Sequence, residues 1–461
     1  MNLRLIRERR QPRPGSYKHA FELPRLPCRV ILGPTTRVST TSNEAISAQV
    51  PEERLPATLP QLQAALRKTT EYLARELAQP TDRAPAWSDI EWRTARAVVT
   101  IHGVSGLLAA QLRWEGPRGW RPFLAEQRAL IAARQPRLRG FLEELDRAAR
   151  SRGLALVALK GAALHALGVY SPGERPMADI DLLCDPEQAE SAAEVLAGLG
   201  LRAGPATWKH REFAAPAETA GVVSLGESAT GPVKVELHAR LREILPLRPV
   251  DVTAAAWPGS PHPGLNDYGT SEGLMLHMLL HASGAISGRT LRLLHLVDLS
   301  RLARRMDARA WEALFESVRG TPDPDLWWAY PPLLLTERYF GGVPQGVLER
   351  LAAACRWPLR RAFSRRTLTD VSISHLWVSA FPGIEWARSL PEMAAYAVRR
   401  FSPSAETRAL RQAFAESQPL VSGGEWSRTS QRRRIVRWLL ARQPRQETLH
   451  PLRASLLGED L

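Results

Sequence analysis

Two acidic residues separated by one apolar residue carry the strongest chemical signal in the chain. Asp179 and Asp181 flank Ile180 in a short apolar segment that predicts a strand over Asp179–Cys184. Because side chains alternate along a strand, both carboxylates lie on one face, with Cα atoms about 6.6 Å apart. Such carboxylates converge on a pair of magnesium ions about 4 Å apart, and a cation relieves their mutual repulsion. The pair predicts divalent-metal chemistry, although Asp-x-Asp alone also occurs on solvated edge strands.

A third carboxylate lies on a later strand, predicted over Val233–His238. Val235 and Leu237 point to one face of this strand, whereas Glu236 and His238 point to the other. Glu236 would therefore complete the metal site if the two strands are neighbours. His238 is a candidate to orient a hydroxyl, to assist proton transfer, or only to hydrogen-bond a carboxylate.

Basic residues near these carboxylates predict a phosphate-binding role. Lys160 and Gly161 stand between the apolar run Leu154–Leu159, a predicted buried strand, and the helical stretch Ala162–Gly168. Glycine permits close approach of a ligand to the backbone, and lysine adds a point charge for a triphosphate. Arg175 follows a turn just before the aspartates, where a guanidinium would meet a phosphate.

Together these motifs resemble the DNA polymerase beta-like nucleotidyltransferase superfamily. More closely, they resemble a bacterial group of uncharacterised nucleotidyltransferases. Four features of that group occur here, and a later histidine and a Leu-Arg-Leu helix match it loosely. The close matches are Lys160-Gly161, Tyr170, the Arg-Pro-x-x-Asp-x-Asp-Leu-Leu segment at 175–183, and Val235–His238; the looser ones are His281, Leu291–Leu293 and Asp298.

The resemblance implies a reaction and its cofactors. Asp179, Asp181 and Glu236 would hold two Mg²⁺ ions, and an acceptor hydroxyl would attack the α-phosphate of a nucleoside triphosphate, with pyrophosphate leaving. ATP as donor of AMP is implied by the resemblance alone. The superfamily usually has Gly-Gly or Gly-Ser at the turn, whereas here Ala162 follows Gly161. Triphosphate binding would therefore depend more on Lys160 and backbone amides.

The elements that must position these residues alternate in texture along the chain. Strand, helix, strand and helix are followed by two strands at Val222–Leu225 and Val233–His238, which predicts a small mixed sheet. Helical periodicity precedes and follows it, notably over Ala95–Leu112 and Ser271–Ala282. The fold class is therefore α+β, a nucleotidyltransferase core flanked by N- and C-terminal helical regions. The predicted divisions are a disordered basic tail at 1–50, an N-terminal helical region at 51–149, the core at 150–245 and a C-terminal helical domain at 265–445.

Composition argues against a membrane protein, a secreted protein and a protein built on disulfides or CxxC zinc sites. The chain has 461 residues, 44% of them hydrophobic, without the apolar run of a membrane helix. Its N-terminus lacks the apolar segment of a secretion signal, and its three cysteines form no CxxC pair. We expect a cytoplasmic protein with no membrane partner. The net charge of +15 and the arginine-rich ends leave a nucleic-acid partner open, but no RNA-binding motif favours one.

Two other functions and two weaker sites remain as alternatives. The same fold could serve as a non-catalytic nucleotide- or partner-binding module, although all three carboxylates are present. It could also be an RNA-tailing enzyme with a polynucleotide acceptor. His277 and His281 have zinc-ligand spacing on a helix, but no HExxH motif supports a metal there. The polar cluster at 209–212 could lie over the cleft, but it is interpreted as a surface loop. The favoured acceptor is a hydroxyl of an unidentified small molecule, peptide or protein.

Overall fold

The architecture is known from a computed structural model, which describes residues 55–216, 226–405, 407–408 and 429–458. The predicted basic tail at 1–50 and the predicted strand Val222–Leu225 lie outside the described residues.

Four helices precede the sheet in the part of the chain that the structure describes, and local sequence explains where they begin and end. Ser88 and Glu91 form a capping box, in which each side chain accepts a hydrogen bond from the backbone amide of the other residue. The single helix predicted over Ala95–Leu112 is wrong. Gly103 adopts φ 67°, a left-handed conformation that ends one helix and lets another begin. The helices are α1 (Leu59–Ala78), α2 (Asp89–Ile101), α3 (Ser105–Gln111) and α4 (Trp120–Ser151).

A six-stranded mixed sheet follows, together with two helices. The strand order is β3-β4-β5-β2-β1-β8; β2 runs parallel to β5 and antiparallel to β1. This arrangement, flanked by helices on both sides in sequence, confirms the α+β fold class. The elements are β1 (Ala155–Ala158), α5 (Lys160–Ala166), β2 (Ile180–Cys184), α6 (Ala189–Gly198), β3 (Arg202–Ala206), β4 (Arg211–Ala214), β5 (Lys234–His238) and β8 (Gly264–Asn266).

The two faces of the sheet bury different cores because side chains alternate along each strand. Ile180, Leu182 and Leu237 pack with helices α4 and α6 in one apolar cluster. Val157 and Leu183 point the other way and join the large cluster of the flanking helices. Polar side chains that lie on the same face of the sheet as Leu183 therefore point towards this large cluster of the flanking helices.

The hairpin β3–β4 was not expected from the sequence. The interpretation of residues 209–212 as a surface loop is wrong in its second half, because Arg211 and Glu212 belong to β4 and pair with β5. Strand β3 contains Gly204 and Pro205, residues that weaken a strand and are tolerated at a sheet edge. Its composition therefore concealed it.

Helices return after the sheet, as predicted. Asp307 caps one of them by accepting a hydrogen bond from the amide of Ala310. No helix among the described residues is both long and apolar enough to cross a bilayer. The remaining elements are β6 (Arg242–Ile244), β7 (Pro249–Asp251), α7 (Thr253–Ala256), α8 (Ser271–Gly288), α9 (Leu293–Ala303), α10 (Ala308–Glu316), α11 (Tyr330–Phe340), α12 (Gln345–Ala354), α13 (Trp357–Arg365), α14 (Leu368–Val371), α15 (Leu390–Phe401), α16 (Gln431–Leu440) and α17 (Gln446–Leu457).

Buried polar contacts join the early and late helices. His102, at the end of α2, is fully buried; its Nδ1 accepts a hydrogen bond from the amide of Leu293 and its Nε2 contacts Ser374 Oγ, both at 2.8 Å. Glu71 of α1 accepts hydrogen bonds from the backbone and side chain of Thr369. These contacts hold the N-terminal helices against the C-terminal ones, on the side of the sheet that carries the polar face.

Candidate active site

Asp181 and Glu236 stand side by side on adjacent strands. Their Cα atoms are register partners in the parallel pair β2–β5, so their side chains leave the sheet on the same face. Both side chains approach Nε2 of His238: the distance from this nitrogen is 3.1 Å to Asp181 Oδ1 and 3.6 Å to Glu236 Oε2. The structure therefore brings these three predicted residues together.

Asp179 lies immediately before β2 and faces an unfavourable environment for a negative charge. Burial, followed by repulsion from Asp181 and Glu236, raises the pKa of Asp179 to about 6. Among the described residues, no group donates a hydrogen bond to its carboxylate and no cation lies within ion-pair distance. A divalent cation would remove this penalty, so the donor set fits one.

Lys160 supplies the positive charge closest to the carboxylates. Its Nζ lies 2.5 Å from Asp181 Oδ1, with both side chains largely buried. Burial opposes the lysine charge, but attraction by Asp181, Glu236 and Asp179 outweighs it and raises the pKa of Lys160. Burial likewise disfavours the Asp181 carboxylate, yet Lys160 and His238 together hold its pKa well below the usual range. The ion pair is therefore charged at neutral pH.

The backbone at the Lys-Gly turn is constrained. Lys160 adopts φ 43°, in the left-handed region that disfavours side chains with a Cβ atom by about 1–2 kcal/mol. A Cβ atom on Gly161 would stand 2.6 Å from an Arg175 guanidinium nitrogen and 3.2 Å from Met177 Sδ. Close packing of protein side chains around the turn therefore requires glycine at 161.

The structure places Arg175 in a buried ion pair away from the carboxylate cluster. Its Nε and one terminal nitrogen each lie 2.9 Å from an oxygen of Asp298, and its other terminal nitrogen bonds to the carbonyl of Pro176. Tyr170 donates a hydrogen bond of 2.5 Å to the same Asp298. Burial works against the charge, but Asp298 outweighs it and raises the pKa of Arg175. A phosphate contact by Arg175 would require this pair to open, so that role stays a prediction.

His210, which sequence reasoning assigned to a surface loop rather than to the cleft, lies beside Glu236. Its Nδ1 is 3.1 Å from Glu236 Oε2, and its ring centroid is 5.2 Å from that of His238. Ligand atoms of His210, Glu236 and His238 all lie within 4.8 Å of one another. This is the one cluster of three or more such potential metal ligands among the residues that the structure describes. The sequence signal for a role of His210 was the polar run at 209–212, because the alternating side-chain directions of β4 continue back into this run.

Arg292, which the sequence only matched loosely to a family motif, adds an exposed cation. Burial raises the pKa of both Asp179 and Glu227, and the positive charge of Arg292 partly offsets this increase in each case. Within the described parts of the chain its guanidinium has no acidic partner within ion-pair distance. A phosphate group approaching Asp179 would therefore meet an available guanidinium at position 292 rather than at 175.

The histidines of α8 contribute to packing near the turn. His277 Nδ1 is hydrogen-bonded to the hydroxyl of Tyr268 at 2.6 Å, and that hydroxyl accepts a hydrogen bond from the amide of Lys160. The rings of His281 and His295 meet edge to face at 4.9 Å. Burial lowers the pKa of His277 well below its usual value, so this ring is neutral and supports the Lys-Gly turn.

A comparison with family models identifies the chain. The model of a family described as uncharacterised nucleotidyltransferase matches residues 88–321, half of the sequence. The chain belongs to this nucleotidyltransferase family. Neither the curated proteins nor the solved structures contain a match to it. The matched range includes the whole sheet and every candidate site residue above.

Family membership gives the general chemistry of the site. Nucleotidyltransferases act on nucleoside triphosphates and generally depend on a divalent metal, and the carboxylate-lined face described above lies inside the matched range. The sequence resemblance to this family is therefore confirmed. Family membership alone does not identify the acceptor, the nucleotide or the role of each residue.

Proposed function

We propose that this protein transfers a nucleoside monophosphate, AMP from ATP, to a hydroxyl group of a small-molecule, peptide or protein acceptor. The observation that carries the proposal is the acidic face of β2 and β5. Asp181 and Glu236 are register partners, and Asp179 lies close enough to both for their charges to raise its pKa. Burial and these two neighbouring carboxylates raise the pKa of Asp179, and such crowding of carboxylates is typical of a site for divalent cations.

Asp179, Asp181 and Glu236 would hold Mg²⁺. When bound, such ions neutralise charge on the triphosphate and lower the pKa of an attacking hydroxyl. The transfer forms a bond between the acceptor oxygen and the α-phosphorus and breaks the bond to pyrophosphate.

The chain's own residues prepare this site. His238 contacts both Asp181 and Glu236, and so fixes the direction of two carboxylates. Lys160 is held charged beside them and, once a divalent cation shares Asp181, can turn towards a phosphate oxygen. Arg292 is exposed near Asp179 and suits the outer phosphates.

Labelled nucleotide tests the proposal directly. The purified protein is incubated with α-labelled ATP, Mg²⁺ and a cell lysate as the source of acceptor, and label in the products is separated by size and charge. We expect transfer by the unaltered protein and its loss in Asp179→Ala and Asp181→Ala. Asp185→Ala is the matched control, because Asp185 lies at the other end of β2 and is exposed.

Two results would contradict the proposal. Transfer that persists in both the Asp179 and the Asp181 variant would place the chemistry elsewhere. Transfer of the γ-phosphoryl group from γ-labelled ATP to the acceptor, with release of ADP and no transfer of the α-label, would show phosphoryl rather than nucleotidyl chemistry.

A further inference from the structure

Two histidines flank the third carboxylate of the acidic face. In the antiparallel pair β4–β5, Glu212 is the register partner of Glu236, and Arg211 that of Leu237. Continuing this register by one residue brings His210 beside His238, on the same face as both glutamates. The ring centroids of the two histidines are 5.2 Å apart. Glu236 therefore lies beside two imidazoles as well as between the carboxylates of its register partners, Asp181 and Glu212.

The distances within this group are those of ligands around one ion. Nδ1 of His210 is 3.1 Å, and Nε2 of His238 is 3.6 Å, from Glu236 Oε2. Two ligand atoms that each bind zinc at about 2.1 Å in tetrahedral geometry stand about 3.4 Å apart. The observed separations bracket this value. Oδ1 of Asp181 lies 3.1 Å from the same nitrogen of His238 and is hydrogen-bonded to it, and this contact orients the ring.

Hydrogen bonding does not explain the position of His210. Its Nδ1 is buried and has no hydrogen-bond partner, although Glu236 Oε2 is only 3.1 Å away, because the two atoms are not aligned for a hydrogen bond. Buried polar atoms normally have a partner. Two ligands of a common ion approach each other in this way, since each lone pair is directed at the ion rather than at the other ligand.

The polypeptide holds His210 in place before any ion binds. Thr207 Oγ1 accepts hydrogen bonds from the amides of Lys209 and His210, and the carbonyl of His210 accepts two in return from Thr207. Glu212 Oε1 lies 3.7 Å from the other ring nitrogen of His210, where a carboxylate commonly orients a metal-binding histidine.

We propose that His210, Glu236 and His238 bind a divalent transition cation, with Zn²⁺ as the ion of this class. Imidazole nitrogen suits zinc and related ions, whereas Mg²⁺ takes oxygen ligands and keeps several waters. Two histidines and one glutamate form a ligand set that leaves a coordination position open. The site does not include Asp179 and shares only Glu236 with the proposed Mg²⁺ site, and ion binding here does not depend on nucleotidyl transfer.

Cobalt titration tests the inference, because Co²⁺ occupies zinc sites and absorbs visible light when coordinated by few ligands. The full chain is purified without a polyhistidine tag and titrated with Co²⁺, then with Zn²⁺ and, separately, with a large excess of Mg²⁺. We expect one equivalent of Co²⁺ to produce the absorption band, stoichiometric Zn²⁺ to abolish it, and Mg²⁺ to leave it unchanged.

Variants assign the site to its residues. His210→Gln and His238→Gln should each weaken Co²⁺ binding by at least about 100-fold, the upper end of the effect of removing only an orienting partner. His262→Gln, at an exposed histidine outside the cluster, and Asp179→Asn should keep affinity within about threefold. If His238→Gln does not fold by circular dichroism, His210→Gln decides, since His210 lies in an edge turn and is less buried.

The absence of a stoichiometric band, its displacement by Mg²⁺, or its persistence in His210→Gln would overturn this inference. Failure of the two proposals is distinguishable. A chain that binds Co²⁺ at these histidines but transfers no label from ATP loses only the proposed function. A chain that transfers label with Mg²⁺ but binds no Co²⁺ loses only the zinc site.

Discussion

The ion pair between Arg175 and Asp298 yields a prediction whose magnitude follows from its geometry. Asp298 is fully buried and receives three hydrogen bonds: two from the Arg175 guanidinium and one from the Tyr170 hydroxyl. In Asp298→Asn the charge disappears, and one of the two accepting oxygens becomes an NH₂ group that faces a donor. The guanidinium of Arg175 then remains buried without a counter-charge.

Removing one partner of a buried ion pair costs about 3–5 kcal/mol of the free energy of unfolding. We therefore expect Asp298→Asn to lower stability by that amount, whereas Asp325→Asn, at an exposed aspartate, should change it by less than about 0.5 kcal/mol. Urea unfolding followed by tryptophan fluorescence gives the difference from the shift in midpoint. The double variant Arg175→Met/Asp298→Asn should recover at least half of the loss, because no unpaired charge stays buried.

The same variants decide what Arg175 does. If Arg175 is held by Asp298 as a structural cation, the double variant should bind Mg²⁺–ATP with the affinity of the unaltered protein, measured by calorimetry. A loss of stability below about 1 kcal/mol in Asp298→Asn would refute the ion-pair reasoning. A tenfold or greater loss of ATP affinity in the double variant would instead support the phosphate contact that the sequence predicted.

Three further outcomes are expected. Gly161→Ala should lower both stability and label transfer, because its Cβ would stand 2.6 Å from an Arg175 nitrogen; unfolding and transfer assays that match the unaltered protein would contradict this. Arg292→Gln should weaken Mg²⁺–ATP binding about tenfold, equivalent to about 1.4 kcal/mol, without changing the unfolding midpoint, and an unchanged affinity would exclude a phosphate contact. Burial lowers the pKa of His102 to about 3. Between about pH 6.5 and pH 3 the unfolded chain therefore binds one more proton than the folded chain, and the free energy of unfolding decreases by about 1.4 kcal/mol for each unit by which the pH is lowered. His102→Asn should show a correspondingly shallower loss in urea unfolding across that range, and parallel slopes for the two proteins would count against a buried neutral imidazole.

The sequence predicted those parts of the site that depend on local alternation. Asp179, Asp181 and Glu236 could be assigned to strands because apolar residues alternate with them, and a parallel β2–β5 pair then brings Asp181 beside Glu236. The Lys-Gly turn could be predicted because a continuous apolar run, typical of a buried strand, comes directly before it. Such features need only the spacing of neighbouring residues.

Features that depend on distant pairing were not predictable. The partner of Arg175 is Asp298, which is 123 positions later, and no local pattern joins them. His210 gained its position from the β4–β5 register, but β3 carries Gly204 and Pro205 and did not read as a strand. The break at Gly103 was missed because apolar periodicity continues across it, whereas the backbone conformation does not.

The contact between Lys160 and Asp181 has a consequence for the protein without its metals. The ammonium group of Lys160 already balances the charge of Asp181, so the acidic face carries an internal counterion. Proteins whose acidic ligands repel one another without an ion often unfold when chelators remove it. This chain should keep its fold in EDTA, and metal loading can then follow folding rather than drive it.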